Sequence, residues 1–156
     1  MAEDYFTVIE EDNHYKLNIN SYIDKKEIDK IYEGNECDIK VVSKNIYMDY
    51  EEYIIEIKNK TNKSIALDGL RKNDNIHLLD SNNKKRKSYI NEITPISLIT
   101  KPGTSSVVKI KFYKPYSITL YAETVVFSDV ILDYDIYNKT KDKKKYDSNI
   151  EITIDL

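Results

Sequence analysis

The sequence predicts an antiparallel β-sandwich, and two observations carry that prediction. First, four segments alternate apolar and polar residues with a period of two. Residues 53–67 read as strand, Asn/Thr/Lys/Ser turn and strand again, and residues 107–112 follow the Pro102-Gly103 pair. Residues 127–137 place Val130, Leu132, Tyr134 and Ile136 on one face, and residues 150–156 do the same with Ile150, Ile152, Ile154 and Leu156. A period of two gives each sheet a wet face and a dry face, and dry faces must pack on one another. Second, turn residues recur after Cys37 at sandwich-like intervals.

The elements follow in order. Residues 5–9 are a short apolar run, Glu10 to Asn13 form a turn, and Tyr15, Leu17 and Ile19 alternate with polar neighbours, which predicts a hairpin. Residues 24–34 predict a short helix. Asp24 stands as N-cap with Glu27 three residues on, Ile23 and Ile28 occupy the staple positions, and Gly34 follows an Ile28/Ile31/Tyr32 stripe. Lys25 and Lys26 oppose the dipole of such a helix. Strands are then expected at 38–42 (extending toward Tyr47), 52–58, 65–70, 75–79, 87–93, 96–100 and 106–112. A long strand at 123–138 should contain a bulge, because Val125 and Phe127 fall on the opposite parity from Val130 and Leu132. A charged loop at 139–148 precedes the last strand. The organisation read from this is a hairpin and helix extension over 1–36 and a sandwich over 37–156.

Bulk properties exclude several classes. With 156 residues the chain can bury a core without staples. A net charge of −3 argues against nucleic acid. The single Cys37 allows neither an internal disulfide nor a cysteine-based zinc site. Three glycines cannot supply phosphate-cradling or dinucleotide loops, and no nucleophile elbow is present, so no cofactor is expected. The start lacks the regions of a signal peptide, and no run approaches the length of a membrane span, so this chain is expected to be soluble, either native to the cytosol or cut from an anchored protein. The 14 Tyr, 3 Phe and no Trp accompany heavy use of Ile, Lys and Asn, which points to an AT-rich genome of the Firmicute type.

Three turn elements between about Asn45 and Tyr137 resemble a known pattern. They are Ile57-Lys-Asn-Lys-Thr-Asn-Lys-Ser-Ile65, the Leu78-Leu-Asp-Ser-Asn-Asn-Lys-Lys85 hairpin, and Ile99-Thr-Lys-Pro-Gly-Thr104 leading into Val108-Lys-Ile-Lys-Phe112. This region is similar to immunoglobulin-like domains of unknown function in Gram-positive envelope lipoproteins and zinc-ribbon membrane-anchored proteins. It departs by carrying Asn83 where the hairpin often has Gly, and it has neither lipobox nor zinc ribbon. The resemblance implies an immunoglobulin-like sandwich, a place outside the membrane, and a binding or structural role. It supplies no catalytic residues.

Candidate chemistry is sparse. Asp129, Asp133 and Asp135 share one strand parity and could hold a hard cation such as calcium, with loop oxygens from Asp68, Asp74 or Asp80; a solvated strand face is the plainer reading. Lys84, Lys85, Arg86 and Lys87 form one basic run, and Lys139, Lys141, Lys143, Lys144 and Lys145 another. If folding brings the runs to one end, they would meet a polyanion such as a wall polymer. His14 and His77 show no metal spacing, and Cys37 has no base nearby in sequence. Asn59, Asn62 and Asn138 match the glycosylation pattern, which an Asn- and Lys-rich chain produces by chance. Tyr47, Tyr50 and Tyr53, and Tyr113, Tyr116 and Tyr121, lie beside turns and could stack on sugars or anchor a protein partner. The expectation is a non-enzymatic binding or structural module of a bacterial cell envelope, extracellular, that offers loops or a sheet edge to a protein or anionic wall polymer. The alternatives are a metal-dependent enzyme or calcium-binding domain on the Asp129/Asp133/Asp135 face, or a cytosolic adaptor subunit.

Overall fold

A computed structural model describes residues 7–18, 22–69, 72–114, 121–142 and 149–156, and in it the alternating segments become antiparallel strands. The first hairpin joins β1 (Thr7–Glu11) to β2 (His14–Asn18) through Asp12 and Asn13, at φ 53° and 61°. Asp and Asn accept that left-handed backbone because their short side chains hydrogen-bond locally. The remaining strands in chain order are β3 (Tyr22–Glu33), β4 (Cys37–Tyr47), β5 (Tyr50–Asn59), β6 (Ile65–Ala66), β7 (Ile76–Asp80), β8 (Lys85–Lys87), β9 (Ile99–Thr100), β10 (Ser105–Tyr113), β11 (Ala122–Ile131) and β12 (Asn149–Asp155). One sheet runs β10-β5-β4-β3. The other runs β8-β7-β11-β6-β9, with β12 also paired to β11.

The dry faces meet as expected. Ile39, Val41, Tyr53, Ile55, Ile57, Val108, Ile110 and Phe112 from the first sheet pack on Ile76, Leu78, Val125, Phe127, Val130, Ile152 and Ile154 from the second. Each such side chain contributes roughly 1.5–3 kcal/mol by leaving water. Tyr53 and Phe112 add an edge-to-face contact at 5.2 Å.

The expected helix over 24–34 is a strand. Asp24 through Glu33 pair with β4 in a ladder from Asp24↔Ile46 to Glu33↔Asp38. Asp24 does not cap a helix, and Glu27 pairs with Lys25 at 2.8 Å instead of closing a capping box. The apolar stripe that resembled one helix face is divided: Ile28 and Tyr32 pack against the core, whereas Ile23 and Ile31 are exposed. Two register shifts, at Tyr22/Asp24 and Glu27/Lys30, with Asp29 at φ 56°, insert the extra residues that gave a helix-like spacing. Gly34 does not end a helix but turns the chain: its N–H donates to Cys37 O at 3.0 Å, and a Cβ there would lie 2.7 Å from the Tyr32 ring. Across the expected boundary at residue 36, β3 pairs with β4 as the end strand of the four-stranded sheet.

Other boundaries shift for local reasons. The long strand expected over 123–138 ends at Ile131, and the chain then forms helix α1 (Tyr134–Lys139), whose first turn is capped by Asp133 Oδ1 accepting from Ile136 N at 3.2 Å. The anticipated bulge is the register shift between Phe127 and Val130. Residues expected to extend through 87–93 and 96–100 form 3₁₀ turns at Ile90–Glu92 and Pro95–Leu98, leaving only short β8 and β9. Gly103 takes φ 64° in the predicted Pro102-Gly103 turn, and Asn83 takes φ 57° at the hairpin position where the similar domains often carry glycine.

Asn59 ties this turn to its neighbour. It is buried at the end of β5, where Nδ2 donates to Lys63 O at 2.7 Å, Thr100 O at 3.0 Å and Lys101 O at 3.2 Å. Its Oδ1 accepts from Thr61 N and Thr61 Oγ1, both at 2.9 Å. The matched glycosylation pattern at this residue is therefore a loop clasp.

Candidate functional site

Five tyrosines form a row across one end of the four-stranded sheet. In β5 the odd-numbered residues face the core, so Tyr50 faces out, and in β10 the even-numbered residues face the core, which puts Tyr113 outside. Register places Tyr22 opposite Tyr47 and Tyr50 opposite Tyr113. A tight turn through Met48 and Asp49 brings Tyr47 beside Tyr50. Tyr89 joins the sheet where its N–H donates to Lys111 O at 2.9 Å. Ring centroids run 5.7 Å from Tyr22 to Tyr47, 4.4 Å from Tyr47 to Tyr50, and 3.8 Å from Tyr89 to Tyr113. The row crosses four strands, about 15 Å at ~4.8 Å per strand.

The rings lean on one another instead of lying flat. Tyr47 and Tyr50 are stacked, and the ammonium of Lys111 sits 4.8 Å from the Tyr50 centroid. Lys111 also reaches Glu92 at 3.4 Å, and Lys114 Nζ donates to Tyr47 O at 3.0 Å. What the row offers is ring edges and hydroxyls. Burial raises the Tyr47 hydroxyl, helped by Glu52, and burial pushes the Tyr89 hydroxyl up to about 12, helped by its bond to Tyr113. These hydroxyls stay protonated and able to donate at neutral pH. Met48, 59% exposed, stands at the tip of the turn, and Tyr113 is 46% exposed.

The sequence-derived candidates separate. Asp129, Asp133 and Asp135 do not share a strand face. Asp129 lies in β11 and accepts from Asn149 Nδ2 at 2.7 Å, Asp133 caps α1 and pairs with Lys63 at 2.8 Å, and Asp135 is exposed on α1. The Lys63 bond, more than the cap, holds the Asp133 carboxyl below its usual range. Among the described residues, no group of three or more His, Cys, Asp or Glu converges to hold a metal ion.

The basic runs divide too. The turn after β7 sits at the start of β11, where Ser81 N donates to Tyr121 O at 3.2 Å, whereas Lys139 and Lys141 follow the far end of that strand. The 10 residues of β11 put roughly 33 Å between the two ends. Arg86 leaves the expected surface patch altogether: it is buried opposite Leu78, 4.0 Å from Glu51. Lys84 and Lys85 are exposed, and Lys87 pairs with Asp74 at 3.4 Å. Lys143, Lys144 and Lys145 lie outside the described residues, as does Tyr116.

Cys37 is buried in β4, and burial drives its thiol up to about 11. His14 is exposed in β2, and His77 is buried in β7 with Nδ1 2.7 Å from Asp74 O. Tyr53, grouped in sequence with Tyr47 and Tyr50, points into the core. The row was missed as a unit because its members come from four separated stretches, at Tyr22, Tyr47 with Tyr50, Tyr89 and Tyr113. Parity within 47–53 was the available signal for which tyrosines face out.

No family model matches the chain, and no curated protein matches it. A solved structure of a functionally unknown protein from Listeria monocytogenes EGD-e is similar in fold. It is 11% identical with a TM-score of 0.53, covering 86% of this chain and 85% of that one. Among the described residues, no helix is long and apolar enough to cross a membrane.

Proposed function

We propose that this chain is a non-enzymatic, immunoglobulin-like binding module of a bacterial cell envelope, and that the tyrosine row docks a partner protein. The observation that carries the reading is the row itself, four tyrosines on the strands at one sheet end, paired Tyr22 with Tyr47 and Tyr50 with Tyr113, and Tyr89 packed on Tyr113. Tyrosine gives large contact area at low entropic cost, and it is enriched at interface hot spots. A protein partner is favoured over a flat sugar, because sugars stack on open ring faces, whereas the Tyr50 ring is engaged by Tyr47 and Lys111 and the Tyr113 ring by Tyr89. The immunoglobulin-like part of the reading is supported by strand order. β5 sits beside β10 in one sheet, β7 beside β11 and β11 beside β12 in the other, as strands B with E, C with F and F with G do in that fold. The envelope setting rests on the sequence resemblance alone.

The test is site-specific photocrosslinking in an extract of the source bacterium. A photoreactive residue at Tyr113 should give a discrete protein adduct that disappears on adding Tyr47→Ala and Tyr50→Ala. The same group at Lys84 should give none. Equal adducts from both sites, or binding to purified wall polymer that ignores the tyrosine changes, would overturn the reading. Fractionation of cells separately checks the envelope.

A further inference from the structure

The tyrosine row also specifies the kind of backbone that fits it. Its rings are engaged in pairs, Tyr47 on Tyr50 at 4.4 Å and Tyr89 on Tyr113 at 3.8 Å, so a partner meets ring edges and hydroxyls. Burial raises the Tyr47 and Tyr89 hydroxyls, which keeps them protonated at neutral pH. Tyr89 and Tyr113 share a hydrogen bond, so one hydroxyl hydrogen of that pair is left to donate. We propose that the row binds a proline-rich segment in the polyproline II conformation, laid across the strands. This rests on the docking role proposed for the row and names what docks there.

The chemistry and the spacing both match. A row of donors needs a partner with unpaired acceptors. Helices and sheets use their carbonyls internally, whereas polyproline II makes no internal hydrogen bonds and leaves its carbonyls exposed. Its conformation is also set before binding, so little ordering entropy is lost. Tyr47 of β4 and Tyr113 of β10 lie at the same level of the sheet with β5 between them. Two strand spacings separate them by about 9.6 Å. Polyproline II repeats every three residues, which advance about 9.3 Å. Groups three residues apart on such a segment therefore reach Tyr47 and the Tyr89–Tyr113 pair in turn.

The probe is hexaproline capped at both ends, titrated into the full chain and followed in the backbone amide spectrum. Hexa-D-proline keeps the rings and the repeat with the opposite hand. A capped Gly-Ser hexapeptide keeps the carbonyls without the preset extension. Hexaproline should shift the Tyr47, Tyr50 and Tyr113 amides saturably with a Kd below ~1 mM, and leave Asn59, at the far end of β5, unmoved. Both controls should bind at least about tenfold more weakly. Combining Tyr47→Phe, Tyr89→Phe and Tyr113→Phe keeps the rings and removes the donors at both ends of the repeat. At roughly fivefold per lost hydrogen bond, binding should weaken at least about tenfold while melting stays cooperative. No saturable shift up to ~5 mM overturns the proposal. So does equal binding of either control, or a phenylalanine variant that binds like wild type. Hexaproline should also suppress the Tyr113 photoadduct. An adduct that survives saturating hexaproline keeps the docking role of the row and rejects a proline-rich partner.

Discussion

Replacing Asn59 with alanine should destabilise the fold more than its single small side chain suggests. The side chain has two amide hydrogens for three carbonyls and one oxygen for two Thr61 donors, so it makes about four effective hydrogen bonds. At about 1 kcal/mol each their loss approaches 4 kcal/mol. Water reaches some of the freed groups, because Thr61 and Lys63 lie near the surface, which brings the expected loss to about 3 kcal/mol. With a urea m value of about 2 kcal/mol/M, the midpoint falls by about 1.5 M. The melting temperature falls by about 6–12 °C. Asn59→Asp is the sharper control. It keeps both acceptor bonds yet points a carboxylate at three carbonyl oxygens, so it should be at least as damaging as alanine. A midpoint shift under ~0.5 M for Asn59→Ala, or an aspartate that behaves like wild type, would refute the clasp as an energetic unit.

Three further outcomes are expected. Tyr50→Ala and Tyr113→Ala should each weaken the crosslinked partner by about 2 kcal/mol while shifting the melting temperature by only a few degrees, as measured by binding and melting on the same samples. Burial lowers the His77 pKa below its ordinary 6.5, with the Asp74 carbonyl opposing. The unfolded chain then binds the proton more readily, so stability is complete above about pH 6.5 and declines as the pH drops through and below that value. His77→Gln should flatten the decline between pH 8 and pH 5 in thermal melts. Cys37 should resist a thiol reagent at pH 8 in the native protein and react at once in denaturant, since its thiol is buried and held near 11.

Much of the sandwich could be read from the chain because several of its strands keep strict parity. β5, β10 and β12 each bury alternate residues, and the Pro102-Gly103 turn takes the conformation its residues favour. The helix assigned to 24–34 shows where local reading fails. Its capping pattern was real, but the open edge of β4 offered backbone partners along its whole length, and two bulges disguised the strand period. α1 was hidden for the opposite reason, since Tyr134 and Ile136 continue the alternation of β11 past the point where Asp133 caps a helix. Arg86 was assigned to the surface because it sits in a run of lysines. Its place between Lys85 and Lys87 on a strand, opposite Leu78, sends it inward. The tyrosine row needed register between distant segments, which no single-chain periodicity contains.

The irregular path of β3 has a further consequence. It forms the outer margin of its sheet, and its backbone slips register twice while presenting Lys25, Lys26, Glu27, Asp29 and Lys30. A second molecule laid alongside would find donors and acceptors out of step and charges of both signs in its way. Such a margin disfavours strand addition, which keeps copies of the molecule from zipping together there when they are crowded.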